Sequence, residues 1–141
     1  MLSYQGGNRM RAQLSNNEYL IMELLWTANQ PLSRSDILKG TTGRNWNPSS
    51  IHLILNSMLS KGVIKITDEE KKYGRTYEAM ITRDDYMIQC VEIGTPGKTN
   101  EQRLRDVVAA LVNKDGIKEQ DIQELEDILA KKREELRMSN K

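Results

Sequence analysis

A chain of 141 residues is about the size of one domain, or of a small head followed by a helical oligomerisation element. Its 38% hydrophobic and 29% charged residues are typical of a soluble globular protein and exclude a disordered chain or a long apolar run. Residues 1–13 lack the apolar stretch of a secretory signal, and the single Cys90 cannot form an internal disulfide. We therefore expect a cytoplasmic protein without a membrane segment.

The net charge of +1 hides an asymmetry between the two parts of the chain. Residues 1–83 carry 11 Lys and Arg against 7 Asp and Glu, a net charge of +4. Residues 84–141 carry 10 against 13, a net charge of −3. A basic front part suits a polyanionic ligand, and an acidic, helical back part suits pairing with protein.

Two Ser-x-x-acid patterns mark the starts of the first two predicted helices. Residues 15–18 form a capping box before a broad apolar face, and residues 29–31 (Asn-Gln-Pro) end that helix. Residues 33–36 repeat the pattern and open a short second helix, which Gly40 can stop.

A third helix is predicted to begin at Asn47-Pro48, since Asn caps helices well and Pro suits the first helical position. Gly62 is a natural C-cap for this helix. Residues 63–67 and 76–81 are rich in β-prone side chains and predict a hairpin. The inner face of the third helix is apolar and consists of Ile51, Ile54, Leu55, Met58 and Leu59.

From Thr82 onward the apolar residues again recur with helical spacing. Thr82 can cap one helix, and the segment 94–97 (Gly-Thr-Pro-Gly) ends it. Two further amphipathic helices follow, and the apolar seam of the second has heptad-like spacing. We expect the dimer interface to include Leu104, Val108, Leu111, Ile122, Leu125 and Leu129.

Three short helices followed by a hairpin form the helix-turn-helix plus wing plan, in which the third helix enters the major groove of DNA. We predict a mainly α fold with a small β-hairpin wing: a winged-helix DNA-binding domain at residues 1–81, with 1–13 as a flexible arm. Residues 82–141 are predicted to be the helical dimerisation domain. The alternative for the front part is a small α+β domain with no nucleic-acid ligand.

The outer face of the third helix carries hydroxyl, amide and imidazole groups that can bond to phosphates or base edges. The wing tip adds cations around Gly74 that can meet a phosphate row. A solvated helix face and a solvated charged turn are the alternatives. The predicted DNA contacts are Ser49, Ser50, His52, Leu53, Asn56, Ser57 and Lys61 on the helix, and Lys71, Lys72 and Arg75 in the wing.

Catalysis and metal binding are not expected. His52 is the only histidine and Cys90 the only cysteine, so a metal site or a nucleophile-base pair lacks partners. No glycine-rich, phosphate-binding loop precedes a helix. We therefore predict no enzyme activity and no cofactor. Trp46 is interpreted as an anchor of the loop before the third helix, with stacking on DNA as the alternative.

Several segments together resemble the penicillinase repressor family. These are residues 45–48 (Asn-Trp-Asn-Pro), the apolar helix through 60–64 (Ser-Lys-Gly-Val-Ile), residues 14–26, and residues 121–129 near the C-terminus. The resemblance implies a homodimeric repressor of palindromic operator DNA, with the C-terminal helices interlocking as the dimer interface. It also implies that family DNA contacts correspond to Arg75 in the wing and to five positions of the third helix: Ser49, Ser50, His52, Leu53 and Asn56.

The resemblance leaves the inducing partner open between a sensor protease and a small-molecule inducer. Residues 93–96 (Ile-Gly-Thr-Pro) lie near the point where the β-lactam branch is cleaved at an Asn-Phe bond. The chain contains no Phe, so induction by this cleavage is disfavoured. The single Cys90 does not supply the clustered cysteines of the copper branch. Two other functions stay open: a winged-helix protein-interaction module and a small-molecule-responsive regulator.

Overall fold

The architecture is mainly helical, with one small antiparallel sheet. The computed structural model describes residues 14–68 and 73–140. Within them lie six helices and three strands, in agreement with the predicted fold class. The helices are α1 (Asn16–Ala28), α2 (Arg34–Gly40), α3 (Ile51–Ser60), α4 (Arg83–Gly94), α5 (Asn100–Val112) and α6 (Glu119–Ser139), and the strands are β1 (Leu32–Ser33), β2 (Ile64–Ile66) and β3 (Thr76–Ala79).

The predicted capping signals begin and end the first helices as expected. The side chains of Ser15 and Ser33 each accept a hydrogen bond from the backbone N–H three residues later. The carboxylate at that later position accepts one from the serine backbone N–H, so both capping boxes form. Asn29 ends α1 in the left-handed conformation, with φ of 52°. Gly62 does the same after α3, with φ of 75°, and Val63 N–H donates to Met58 O at 3.2 Å.

Gly40 ends α2 as predicted and has a packing role in addition. It is the last residue of α2, and Thr41 is the C-cap. A β-carbon at Gly40 would lie 2.6 Å from Leu24 Cδ2, closer than packing atoms approach each other. The glycine therefore allows the end of α2 to lie close to α1.

The third predicted helix begins with a tighter turn than expected. The Asn47 side chain accepts a hydrogen bond from Ser49 N–H, and Pro48–Ser50 form one turn of 3₁₀-helix before α3. This turn places Ser49 and Ser50 at the entry to α3.

The hairpin predicted after α3 forms, and a third strand joins it. The order of strands in the sheet is β1-β3-β2, with both pairs antiparallel. Ile64 pairs with Ala79 and Ile66 with Tyr77, while Leu32 pairs with Tyr77 from the other side. Two residues are too few for the alternation that predicts a strand, so β1 was not anticipated from the sequence.

The core lies between the three helices of the head, the sheet and the start of α4. The Trp26 indole donates a hydrogen bond of 2.8 Å to Ile81 O, and Tyr86 of α4 packs into the same cluster. The compact unit that contains this core, Met1–Pro96, thus extends beyond residue 81. The buried apolar residues are Ile21, Met22, Leu25, Leu32, Ile37, Ile51, Leu55, Met58, Val63, Ile64, Tyr77, Ile81 and Tyr86.

The second compact unit, Gly97–Lys141, consists of α5 and α6 in its described part. Thr99 caps α5 with a complete capping box, and Lys98 Nζ lies 2.6 Å from Asp106 Oδ2. Neither α5 nor α6 contains a buried residue. The assignment of residues 82–141 to dimerisation stays a prediction.

Candidate nucleic-acid interface

The outer face of α3 is open to solvent at its first two turns. Ser49, His52 and Asn56 are exposed, and Leu53 between them is 74% exposed. Ser50 is half-buried at the edge of this face. The surface offers hydroxyl, imidazole and amide groups around an apolar centre, which can meet base edges and a thymine methyl.

Ser57 and Lys61, predicted on the outer face, instead turn toward α1. Ser57 Oγ donates to Glu18 Oε2 at 2.7 Å, and Lys61 Nζ lies 2.6 Å from Glu18 Oε1. Glu18 is only 3% exposed, whereas the capping pattern by itself predicts only its place in the first turn of α1. Because a buried carboxylate needs partners, both side chains at the end of α3 are drawn inward. Their part in DNA binding stays a prediction.

The electrostatics of Glu18 favour its charged form. Burial raises the pKa of this carboxyl, but hydrogen bonds from Lys61, the Ser15 backbone and Ser57 outweigh burial, so its pKa lies below the usual range. The ionised carboxylate therefore joins the start of α1 to the last turn of α3. This contact fixes the direction in which the outer face of α3 is presented.

A cation missed by the sequence analysis lies beside the outer face. Arg34, at the start of α2, places Nη1 2.6 Å from Nδ1 and 2.9 Å from Nε2 of His52. The outer face of α3 itself contains no Arg. The capping box predicted that Arg34 begins α2, but only the packing of α2 against α3 brings its guanidinium to the face.

The loop before α3 is held by Arg44 and Trp46. Arg44 Nη1 donates to Leu38 O at 2.7 Å and to Thr41 O at 3.0 Å, and its guanidinium lies 5.3 Å from the Trp46 ring centroid. Trp46 packs against the core, and its buried indole nitrogen has no hydrogen-bond partner among the residues that the structure describes. Packing therefore holds the ring, as the anchor interpretation requires.

The wing is described in part. Tyr73 is 87% exposed, Gly74 has φ of 67°, and Arg75 is half-buried. The predicted contacts Lys71 and Lys72 lie outside the described residues, as does the predicted arm at 1–13. The observed part of the tip thus presents an exposed ring next to a glycine turn.

The predicted dimer seam is apolar and open. All six of its residues are exposed: Leu104, Val108, Leu111, Ile122, Leu125 and Leu129. Ile128 and Leu136 of α6 are exposed as well. Exposed apolar surface of this extent is typical of an interaction face.

The described residues contain no group of three His, Cys, Asp or Glu side chains that could hold a metal ion. Cys90 is half-buried against the core beside Tyr86. Burial raises the pKa of the Tyr86 hydroxyl to about 12, and the hydrogen bond with Cys90 adds to the effect. None of the helices described is long and apolar enough to cross a membrane.

Comparison with known proteins connects these features to a family. The model of the penicillinase repressor family matches residues 14–131. Among solved structures, the chain is similar to MarR from Staphylococcus aureus in complex with salicylate and kanamycin, with 17% sequence identity and a TM-score of 0.44 over 87% of this chain and 73% of that chain. No curated protein matches. Because the family model spans most of the chain, the protein belongs to the penicillinase repressor family of transcriptional regulators.

Proposed function

We propose that the protein represses transcription by binding palindromic operator DNA as a homodimer. One observation carries this proposal: the inner face and the last turn of α3 are held by the core and by Glu18, while its outer face is left exposed. A rigidly held helix with an open polar face beside a hairpin is what major-groove recognition requires. Family membership supports the same function.

In the proposed complex, the open face of α3 reads base edges. Asn56 and Ser50 supply hydrogen-bonding groups, and Leu53 meets a thymine methyl. Ser49 and His52 lie toward the start of the helix, where recognition helices meet the bases. Ser57 and Lys61 hold α3 in place through their contacts with Glu18. In the wing, Lys71, Lys72 and Arg75 contact backbone phosphates.

The proposed dimer forms through the apolar seam of α5 and α6. Two heads joined in this way bind two half-sites, so the second head docks at an effective concentration on the order of millimolar. A two-fold axis implies half-sites about one helical turn apart in a palindrome. The net charge of −3 on residues 84–141 keeps this part away from the DNA polyanion.

Selection of bound sequences from random duplexes, with light scattering on the free protein, tests both halves of the proposal. We expect a palindromic motif and a particle of twice the chain mass. Asn56→Ala should change the selected motif, since its amide faces the proposed base edges. Failure to bind duplex DNA at low salt would contradict the proposal and favour the protein-interaction module.

A second function, response to a small molecule, is favoured by a cleft in the first unit. The cleft has a volume of about 510 Å³ and is lined by Trp26, Pro31, Met80 and Arg83 among others. This volume falls within the range of ligand sites. Trp26 offers a ring for stacking on an aromatic acid. The Arg83 guanidinium binds Glu23 through Nη2 and has further N–H donors for an acidic ligand. A rise in melting temperature with benzoate-like acids, lost in Met80→Trp, would support this function.

A further inference from the structure

We propose that Arg34 is a DNA-contacting residue that clamps a backbone phosphate at the edge of the major groove, and that His52 positions it. This inference rests on the proposed DNA binding. It adds a contact from α2, a helix to which the sequence analysis assigned none. The carrying observation is the placement of the Arg34 guanidinium against His52 on α3.

The guanidinium keeps most of its hydrogen-bonding capacity. Within residues 14–68 and 73–140, the contacts of Arg34 are made through Nη1 to the His52 ring. A guanidinium has five N–H donors in a planar fork, so the donors on Nη2 and Nε stay available. An imidazole carries no negative charge, so the contact with His52 does not neutralise the charge of Arg34.

Four other cations of the head already have partners. Lys61, Lys65 and Arg83 each form an ion pair with a carboxylate, at distances of 2.6, 3.0 and 2.6 Å. Arg44 donates to the backbone carbonyls of Leu38 in α2 and of Thr41 after it. Arg34 thus has a positive charge that no carboxylate of the described residues pairs with, next to the open face of α3.

The position of Arg34 favours a phosphate over a base. Arg34 is the first residue of α2, and the helix that precedes the recognition helix crosses the DNA backbone in this architecture. His52 is the second residue of α3, so the guanidinium lies at the end of α3 that reads bases, but off its centre. The rows of phosphates flank the groove at this place, and the guanidinium fork matches phosphate oxygens in two parallel hydrogen bonds.

The role of His52 in this arrangement is to restrict the Arg34 side chain. A free arginine side chain loses rotamer entropy when it is immobilised. Part of this loss is already incurred in the free protein, because Nη1 is held by the imidazole. His52 therefore acts on the phosphate contact as a positioning residue, apart from any contact of its own.

Binding titrations of the full chain on the selected operator, repeated over a range of salt concentrations, test the inference. Arg34→Ala should lower affinity about tenfold and reduce the slope of log K against log salt by about one unit for each bound protomer. Arg34→Lys should restore the slope, because the charge is kept, but only part of the affinity, because the fork is lost. Lys39→Ala is the matched control, since it removes a cation about 140° away around the same helix.

An unchanged salt slope in Arg34→Ala would overturn the phosphate contact, whereas an altered selected motif would show that Arg34 reads a base instead. Failure of the wild-type chain to bind duplex DNA would contradict the proposed function itself, so the two failures are distinguishable. His52→Ala and the double variant complete a cycle in which the loss in the double variant should be smaller than the sum of the single losses. Strict additivity would overturn the positioning role of His52.

Discussion

The unit up to Pro96 and the unit from Gly97 onward differ in where their apolar side chains lie. In the first unit, apolar residues of α1, α2, α3, the sheet and α4 share one core, and seven of the described side chains are less than 2% exposed. In the second unit, α5 and α6 leave Leu104, Leu111 and Leu129 more than half exposed. Both units have well-capped helices, so local signals do not account for the difference.

The contrast indicates which unit buries a core of its own within the single chain. Full burial of a Leu or Ile side chain stabilises a fold by about 1.5–3 kcal/mol. The core of the first unit contains many buried apolar side chains that contribute in this way. The apolar side chains of the second unit are exposed in the single chain and do not contribute this stabilisation. Their burial against a partner surface would provide it. The difference in burial is therefore the physical basis of the proposed division between a DNA-reading head and a dimerisation element.

The largest expected effect comes from breaking the apolar seam. Leu125→Asp places a charge on the seam of α6 and should give monomers, because burying the carboxylate at an apolar interface is costly. Affinity for the palindrome should fall roughly 10²-fold, since docking of the second head is no longer intramolecular. Light scattering and titrations on a palindrome and on an isolated half-site measure both changes.

The control for the seam is Gln123→Asp, which makes the same change in charge at an exposed polar position of α6. This variant should stay dimeric, and both variants should bind the half-site like the wild-type chain. A monomer that binds the palindrome as tightly as the wild type would show that the second unit does not act by joining two heads.

The next largest effect concerns the anchor of the recognition helix within the head. Trp46→Ala removes a mostly buried ring and should lower the free energy of unfolding by about 2 kcal/mol. DNA affinity should fall with it, because the loop that presents α3 loses its packing. Denaturant unfolding measures the stability change. Unchanged stability combined with weaker DNA binding would reassign Trp46 as a residue that stacks on DNA.

A smaller effect is expected from the buried ion pair that joins α1 to α3. Glu18→Gln keeps the shape but loses the charge that faces Lys61, and should lower stability by about 1 kcal/mol at neutral pH. The pKa of Glu18 is lowered by folding, so its ionised form stabilises the head above its usual pKa of 4.5. This contribution is lost as the pH falls below 4.5 and through the folded pKa.

Urea unfolding between pH 7 and pH 3 measures this effect. The Gln variant should show a flatter loss of stability in acid than the wild type, because position 18 no longer titrates. Equal acid sensitivity of the two proteins would show that Glu18 does not contribute to the pH dependence of folding.

The smallest effect is expected at the exposed pair of Glu23 and Arg83. Their side chains are 36% and 43% exposed, and solvent screens such pairs strongly. Hydrogen bonds from Arg83 and Tyr19 lower the pKa of Glu23. Because the pair is exposed, solvent screening reduces its contribution to the free energy of unfolding. Glu23→Gln should therefore leave the unfolding midpoint nearly unchanged. A loss of stability as large as that of Glu18→Gln would mean that burial does not determine how much each ion pair contributes to stability.

Local sequence signals were sufficient for the helices and the hairpin. The capping boxes, Asn47-Pro48 and Gly62 act through hydrogen bonds or backbone angles within a few residues, so the chain needs no distant contact to express them. The apolar spacing of α3 likewise predicted its buried side, because helical periodicity is a property of the segment alone. Family membership followed from the same segments and is confirmed by the family match.

Contacts between distant residues were decided only by the tertiary structure. Strand β1 exists because Leu32 and Ser33 pair with β3, more than forty residues away, and two residues carry no period of their own. Glu18 draws Ser57 and Lys61 inward across about forty residues of chain, and Arg34 reaches His52 between two helices. A sequence pattern records which side of its own helix a residue occupies. It does not record which other helix faces that side, and this determines whether a charged group is buried, paired or left available to DNA.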